Sequence, residues 1–116
     1  MLKRTATTTD SPNLINESTT IQGNIEAGES LRIDGKVEGD IQCIGRLVIG
    51  KNAHIIGNIT CQHLELLGQL TGNVLAHESC TLRTTAMLSG NLSTPLIQIE
   101  PGAQFQGQCT MLTLHS

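Results

Sequence analysis

Apolar and polar positions alternate along this chain in a pattern that repeats about every 17 residues. From Thr19 onward the alternation has a period of two, which is typical of β-strands. The central unit of each repeat reads apolar, any residue, Gly, polar, apolar. Its six copies lie at residues 21–25, 37–41, 55–59, 70–74, 88–92 and 105–109. Their glycines are separated by 16, 18, 15, 18 and 17 residues, so one internal repeat accounts for nearly the whole chain.

Three further sets of positions recur with the same period. A pair of apolar residues follows each glycine motif, at Leu31/Ile33, Leu47/Ile49, Leu64/Leu66, Cys80/Leu82, Ile97/Ile99 and Leu112/Leu114. A small or apolar residue lies between motif and pair, at Ala27, Cys43, Cys61, Ala76, Thr94 and Met111. A small residue precedes the next motif at Ala53, Gly68, Ala86 and Ala103. Turn residues such as Asp34-Gly35 and Pro101-Gly102 separate the segments.

These patterns predict an all-β, single-domain parallel β-solenoid of about six coils. One repeat alone cannot bury its apolar face, whereas stacked repeats, each coil rising about 4.8 Å on the last, form continuous apolar columns. Helical repeats are disfavoured because β-branched residues, Gly and Thr dominate and no 3.6-residue period is present. Residues 1–17 carry no repeat and are rich in Thr, Ser and Asn, so we expect a flexible tail before a domain at residues 18–116.

Composition narrows the classes of function. A net charge of −3 argues against nucleic acid as a partner, because phosphate neutralisation needs clustered Lys and Arg. No apolar run approaches the length of a membrane span, and the first residues lack the apolar core of a secretory signal. The expected compartment is therefore the cytosol.

The four cysteines, Cys43, Cys61, Cys80 and Cys109, form no CxxC pair and are expected to be buried thiols within the columns. Cys43 and Cys61 fall in one column on adjacent coils, so a disulfide between them stays open as an alternative. The expected corner positions of His63 and His77 disfavour a metal site. No cofactor is predicted.

Two enzymatic interpretations can be weighed against a structural one. Residues 23–30 have the spacing of a phosphate-binding loop, but Glu29 stands where that loop needs Lys, so we reject a nucleotide site. Residues 49–54 fit the unit of a left-handed hexapeptide-repeat acyltransferase, a trimeric enzyme in which His54 would be the candidate base. The other repeats do not keep a six-residue phase, which weakens this alternative.

The glycine motifs, small positions and paired aliphatics resemble the bactofilin family of bacterial cytoskeletal proteins, above all in LRIDGKVEGDI (31–41), LVIGKNAHIIGNI (47–59) and LELLGQLTGNV (64–74). The resemblance covers residues 19–114. It implies a right-handed β-helix that polymerises end to end, without nucleotide, into non-polar filaments. It also implies a scaffold at the cytoplasmic face of the membrane that supports cell shape, polarity or the positioning of wall and division proteins, and no enzymatic activity.

The family's membrane contact is usually an N-terminal apolar and basic segment. Met1, Leu2, Lys3 and Arg4 are a short match to it. One interpretation is weak interfacial binding, which many copies in an assembly would strengthen; the other is a solvated start of the chain.

The ends of the stack are the expected polymer interfaces, because an uncapped solenoid exposes backbone groups and an apolar column. No capping signal is recognisable in the last coil, which contains Phe105, Met111, Leu112 and Leu114, while Ile21 and Ile25 line the first. Phe105 either packs across the junction between two subunits or closes the core of its own chain. Both alternatives remain open from the sequence.

Overall fold

The structure, a computed structural model, describes residues 13–15 and 18–112. These residues contain sixteen strands and no helix, and they wind into a β-solenoid, which confirms the predicted fold class. The stack has about five turns rather than the six coils predicted. In chain order the strands are β1 (Asn13–Ile15), β2 (Thr20–Gln22), β3 (Ile25–Ala27), β4 (Leu31–Ile33), β5 (Lys36–Glu38), β6 (Ile41–Cys43), β7 (Arg46–Ile49), β8 (His54–Ile56), β9 (Ile59–Leu66), β10 (Gln69–Thr71), β11 (Val74–Leu82), β12 (Met87–Ser89), β13 (Leu92–Thr94), β14 (Ile97–Ile99), β15 (Gln104–Gln106) and β16 (Cys109–Met111).

Each coil contributes to three faces, and all strand pairs are parallel. The first face is a six-stranded sheet in the order β2, β5, β8, β10, β12, β15. The second contains β3, β6, β13 and β16 with the first halves of β9 and β11, and the third contains β1, β4, β7 and β14 with their second halves. Because β9 and β11 continue around the corner, the second and third faces form one ten-stranded sheet.

The core consists of the predicted columns of identical or similar residues. On the first face Ile21, Val37, Ile55, Leu70, Leu88 and Phe105 stand in register, each above the next. On the third face Leu31, Leu47, Leu64, Cys80 and Ile97 do the same. In the middle of the stack these side chains are fully buried, for example Val37, Ile55 and Leu47 at 0% exposure. Apolar burial of this kind is the main stabilising contribution to the stack.

The motif glycines form a column of their own at the corner between the first and second faces. All six have a positive φ, from 132° at Gly23 to 149° at Gly39, a region that side-chain-bearing residues rarely occupy. A Cβ at Gly57 would overlap the carbonyl oxygen of Gly39, and the same holds from coil to coil down to Gly107. The motif therefore requires glycine for two reasons, the backbone conformation and the approach of the adjacent coil.

The chain enters the solenoid earlier than the sequence indicated. Asn13–Ile15, assigned above to the flexible tail, form β1, which pairs with β4 through Ile15 and Ile33. The distance of 18 residues between these two positions is a full repeat, but no glycine motif precedes β1 to reveal it. Ile15 is half-buried and packs against the core.

The two histidines lie at the corner between the second and third faces, as predicted, but within continuous strands rather than in turns. His63 belongs to β9 and His77 to β11, because both strands continue through the bend between the second and third faces. A register shift between Ala76 and Ser79 accommodates the bend in β11. As predicted, neither histidine occupies an interior column.

Substitution of Gly57 by Ala should lower the free energy of unfolding by about 2 kcal/mol or more, because it forces a side chain into a positive-φ position against backbone. Thermal or denaturant unfolding followed by circular dichroism measures this loss. Gly28 is the matched control: a Cβ there meets no atom within 4 Å, so Gly28→Ala should change stability by no more than about 1 kcal/mol. Equal losses in the two variants would contradict the role of the glycine column.

Candidate functional site

At the last coil of the described residues the interior columns become partly or largely exposed. Leu88 is 2% exposed, whereas Phe105 beneath it is half-buried. Thr94 is fully buried, whereas Met111 beneath it is 54% exposed. On the third face Leu82 is fully buried and Ile99 is 51% exposed. We call residues 97–112 the terminal coil; its apolar residues continue the core pattern, and no further coil follows within the described residues.

The strands of the terminal coil also have a free edge. Within the described part of the chain, β14, β15 and β16 each pair with a strand only on the side of the preceding coil. Unpaired backbone N–H and C=O groups on such an edge are ready to pair with another chain. Apolar side chains and free backbone groups thus lie on the same surface.

The first coil is different. Ile21 and Ile25, the two residues predicted to line an adhesive end there, are 5% and 1% exposed. On the third face β1 adds one strand above β4, and Ile15 packs against the core. The assignment of Ile21 and Ile25 to an assembly interface stays a prediction.

A ladder of side-chain amides and carboxylates holds successive coils together beside the glycines. The residue after each motif glycine accepts, through its side-chain oxygen, a hydrogen bond from the backbone N–H of its equivalent in the next coil, at 3.0 to 3.4 Å. The members are Asn24, Asp40, Asn58, Asn73, Asn91 and, as the last donor, Gln108. The sequence showed this position only as polar; its preference for Asn and Asp was the available signal.

A second ladder, of charges, runs down the third face. Glu65 contacts Arg46 at 3.7 Å and Arg83 at 2.9 Å, and Arg83 contacts Glu100 at 2.7 Å. The carboxylate of Glu100 also accepts hydrogen bonds from the backbone N–H and the hydroxyl of Thr84, at 3.1 and 3.2 Å. The hydrogen bond from Arg83 lowers the pKa of Glu100, which keeps the carboxylate charged. The sequence pattern does not indicate this role of Glu100.

The three described histidines, His54, His63 and His77, lie in different strands and form no recognisable catalytic group. His54, the candidate base of the acyltransferase alternative, is half-buried on the first face, where its register partners are Lys36 and Gln69. His63 hydrogen-bonds through Nδ1 to the hydroxyl of Ser79, 2.8 Å away in the next coil. Among residues 13–15 and 18–112 no group of three or more His, Cys, Asp or Glu residues could hold a metal ion.

All four cysteines are free thiols, and they occupy the columns in which they were predicted. Burial raises the pKa of Cys61 and of Cys80 to about 12 and also raises the pKa of Cys43. The Cys43 thiol donates to the carbonyl oxygen of Glu29 at 3.1 Å. The expectation of burial is wrong for Cys109, which lies exposed in the terminal coil, 3.9 Å from the sulfur of Met111.

Several predicted site residues lie outside the described residues. These are Met1, Leu2, Lys3 and Arg4, predicted to contact the membrane, and Leu114 of the predicted polymer interface. Leu112 is described and is 36% exposed. No helix among the described residues is long and apolar enough to cross a membrane.

Comparison with known proteins identifies the family to which this arrangement of coils belongs. The family model for bactofilins, described as polymer-forming cytoskeletal proteins, matches residues 13–110. The chain belongs to the bactofilin family. The matched region begins at residue 13, which is the first residue of β1 and precedes the first glycine motif.

Two bactofilins of Myxococcus xanthus (strain DK1622) are similar to this one. Bactofilin BacO is 33% identical over 98 residues, which are 84% of this chain and 78% of BacO. Bactofilin BacP is 26% identical over 98 residues, which are 84% of this chain and 41% of BacP. No solved structure matches this bactofilin.

The folded chain should contain one rapidly reacting thiol. Cys109 is exposed, whereas a thiol with a pKa of about 12 is ionised in roughly one molecule in ten thousand at pH 8. Titration with a chromogenic disulfide at pH 8, on dilute protein shown to be monomeric, should therefore detect one thiol per chain, and Cys109→Ser should detect none. In denaturant all four should react. Fast reaction of two or more thiols in the folded chain would contradict the burial of the other three.

Proposed function

We propose that this bactofilin assembles end to end, without nucleotide, into filaments whose subunits join through the terminal coil. The observation that carries the proposal is the partial or large exposure of the interior columns at that coil, together with edges of β14, β15 and β16 that no described strand pairs. Membership in a polymer-forming family supports it independently. A second copy of the chain is the partner that best fits this surface, because it can continue both the columns and the strand pairing.

Phe105 is the proposed centre of the junction. It lies at the end of the first-face column, directly below the buried Leu88, and its ring is half-buried in its own chain. An aromatic side chain supplies a large apolar area when it becomes fully buried at an interface. Met111 and Leu112, at 54% and 36% exposure, extend the same apolar surface.

We further propose that the filaments lie at the cytoplasmic face of the membrane and act as a scaffold for cell shape, polarity or the positioning of wall and division proteins. What supports this is the family resemblance and the apolar and basic character of Met1, Leu2, Lys3 and Arg4. One such segment binds only marginally, but a filament presents many copies along one line. Vesicle co-sedimentation of filaments, compared with a chain that lacks residues 1–4, tests this part: equal binding would contradict it.

Substitution of Phe105 by Arg should abolish filaments, because a cation would be buried between two apolar ends. Negative-stain microscopy and sedimentation without added nucleotide measure assembly, and circular dichroism checks that strand content is retained. Ile44→Arg is the control, since Ile44 is 72% exposed and lies in the second coil, away from the terminal surface. Filaments in Phe105→Arg, or their loss in both variants, would place the junction elsewhere.

A further inference from the structure

The terminal coil has fewer stabilising contacts than the middle coils of the stack. Among the described residues, its apolar side chains are covered on one side only and its strands are paired on one side only. Its hydrogen bond in the amide ladder, from Gln108 to Asn91, is also the longest of the five at 3.4 Å. Segments with few buried contacts and exposed hydrogen bonds open most readily. An assembly surface on this coil therefore depends on further contacts that hold the coil against the preceding one.

Glu100 supplies that additional restraint. It is the only Asp, Glu, Lys or Arg between Thr84 and the end of the sequence. Its carboxylate nevertheless makes three contacts with the preceding coil, to the Arg83 guanidinium and to the backbone and hydroxyl of Thr84. Arg83 is fixed in turn by Glu65, so the contact is anchored on the ladder of charges that reaches Arg46.

The place of Glu100 in the chain links it to the assembly surface. It follows β14 and begins the corner that leads through Pro101 and Gly102 to β15. Ile99 precedes this corner and Phe105 follows it, and both are exposed or half-buried apolar residues of the terminal surface. The corner closes with a hydrogen bond from the Ala103 N–H to the Glu100 carbonyl oxygen at 3.1 Å.

We propose that Glu100 is a positioning residue for assembly. Its hydrogen bonds hold the corner between β14 and β15 against the preceding coil, and they thereby fix the surface that a second copy of the chain recognises. The inference rests on the proposed end-to-end assembly. Glu100 itself does not have to touch the second copy. It acts through the order of the terminal coil.

The experiment compares the wild type with Glu100→Ala and Glu100→Gln, using Glu78→Ala and Glu78→Gln as matched controls. Glu78 is exposed and has no ion pair among the described residues, so these variants make the same change of charge without removing a contact between coils. Sedimentation gives the critical concentration for assembly. Hydrogen exchange on dilute, unassembled protein reports the order of the terminal coil.

Glu100→Ala should raise the critical concentration about two- to fivefold, the range for loss of an exposed charged contact. Glu100→Gln should lie between it and the wild type, because the carboxamide oxygen can still accept from Thr84. The difference between wild type and Glu100→Gln should shrink in about 1 M salt, which screens the ionic part of the contact. Amide exchange should quicken at Gln104 and Leu112 but not at Ile41, and both Glu78 variants should behave as the wild type.

Three results would overturn the inference. One is assembly of Glu100→Ala at the wild-type critical concentration, whether or not exchange quickens. Another is unchanged exchange in the terminal coil, which would mean that Glu100 does not order it. A third is an equal effect of the Glu78 variants, which would indicate a general effect of charge. A wild type that never assembles would overturn the proposed function and this inference with it, so the two failures are distinguishable.

Discussion

The whole structure depends on how closely one coil can lie on the next at the motif glycines. There the carbonyl oxygen of one glycine occupies the space that a Cβ of the following glycine would need. The positive φ of the same glycine turns the chain from the first face to the second, once in every coil and at the same point. The register of the apolar columns follows from it, because each coil then begins its next strand directly beneath the previous one.

The two side-chain ladders also join adjacent coils, one beside the glycine column and the other on the third face. The Asn and Asp ladder satisfies a backbone N–H in each coil and repeats beside the glycine column, so it favours identical coils. The charge ladder on the third face links only four coils and ends at Glu100. The middle coils are therefore joined by a regular, repeated contact. The terminal coil, through which we propose that subunits join, has in addition the ion pair between Arg83 and Glu100.

Much of the fold could be predicted because the same residue types recur at equivalent positions. The columns around Val37, Ile55 and Leu70 needed only the repeat and the period of two to be found. The strand at Asn13–Ile15 was missed because it has the spacing but not the glycine motif, and the strand character of His63 and His77 was missed because no local signal marks the bend.

The surface of the terminal coil could be predicted in part. Phe105 and Met111 were recognised from the lack of a capping signal, and the structure shows them as the ends of columns that are buried above. Glu100 could not be recognised, since its significance lies in Arg83 and Thr84, which precede it by a full coil and come into contact only through the stack. Contacts between unlike residues in adjacent coils leave no trace in a repeat of like residues.

The reactivity of Cys109 reports on whether the terminal coil is the junction between subunits, because this thiol lies in that coil and is exposed in the single chain. Its rate of alkylation can be measured on one preparation below and above the concentration at which filaments form. If the terminal coil is the junction, the rate should fall at least about tenfold on assembly, as burial removes the thiolate from solvent. Filaments in which Cys109 reacts as fast as in the monomer would contradict the account.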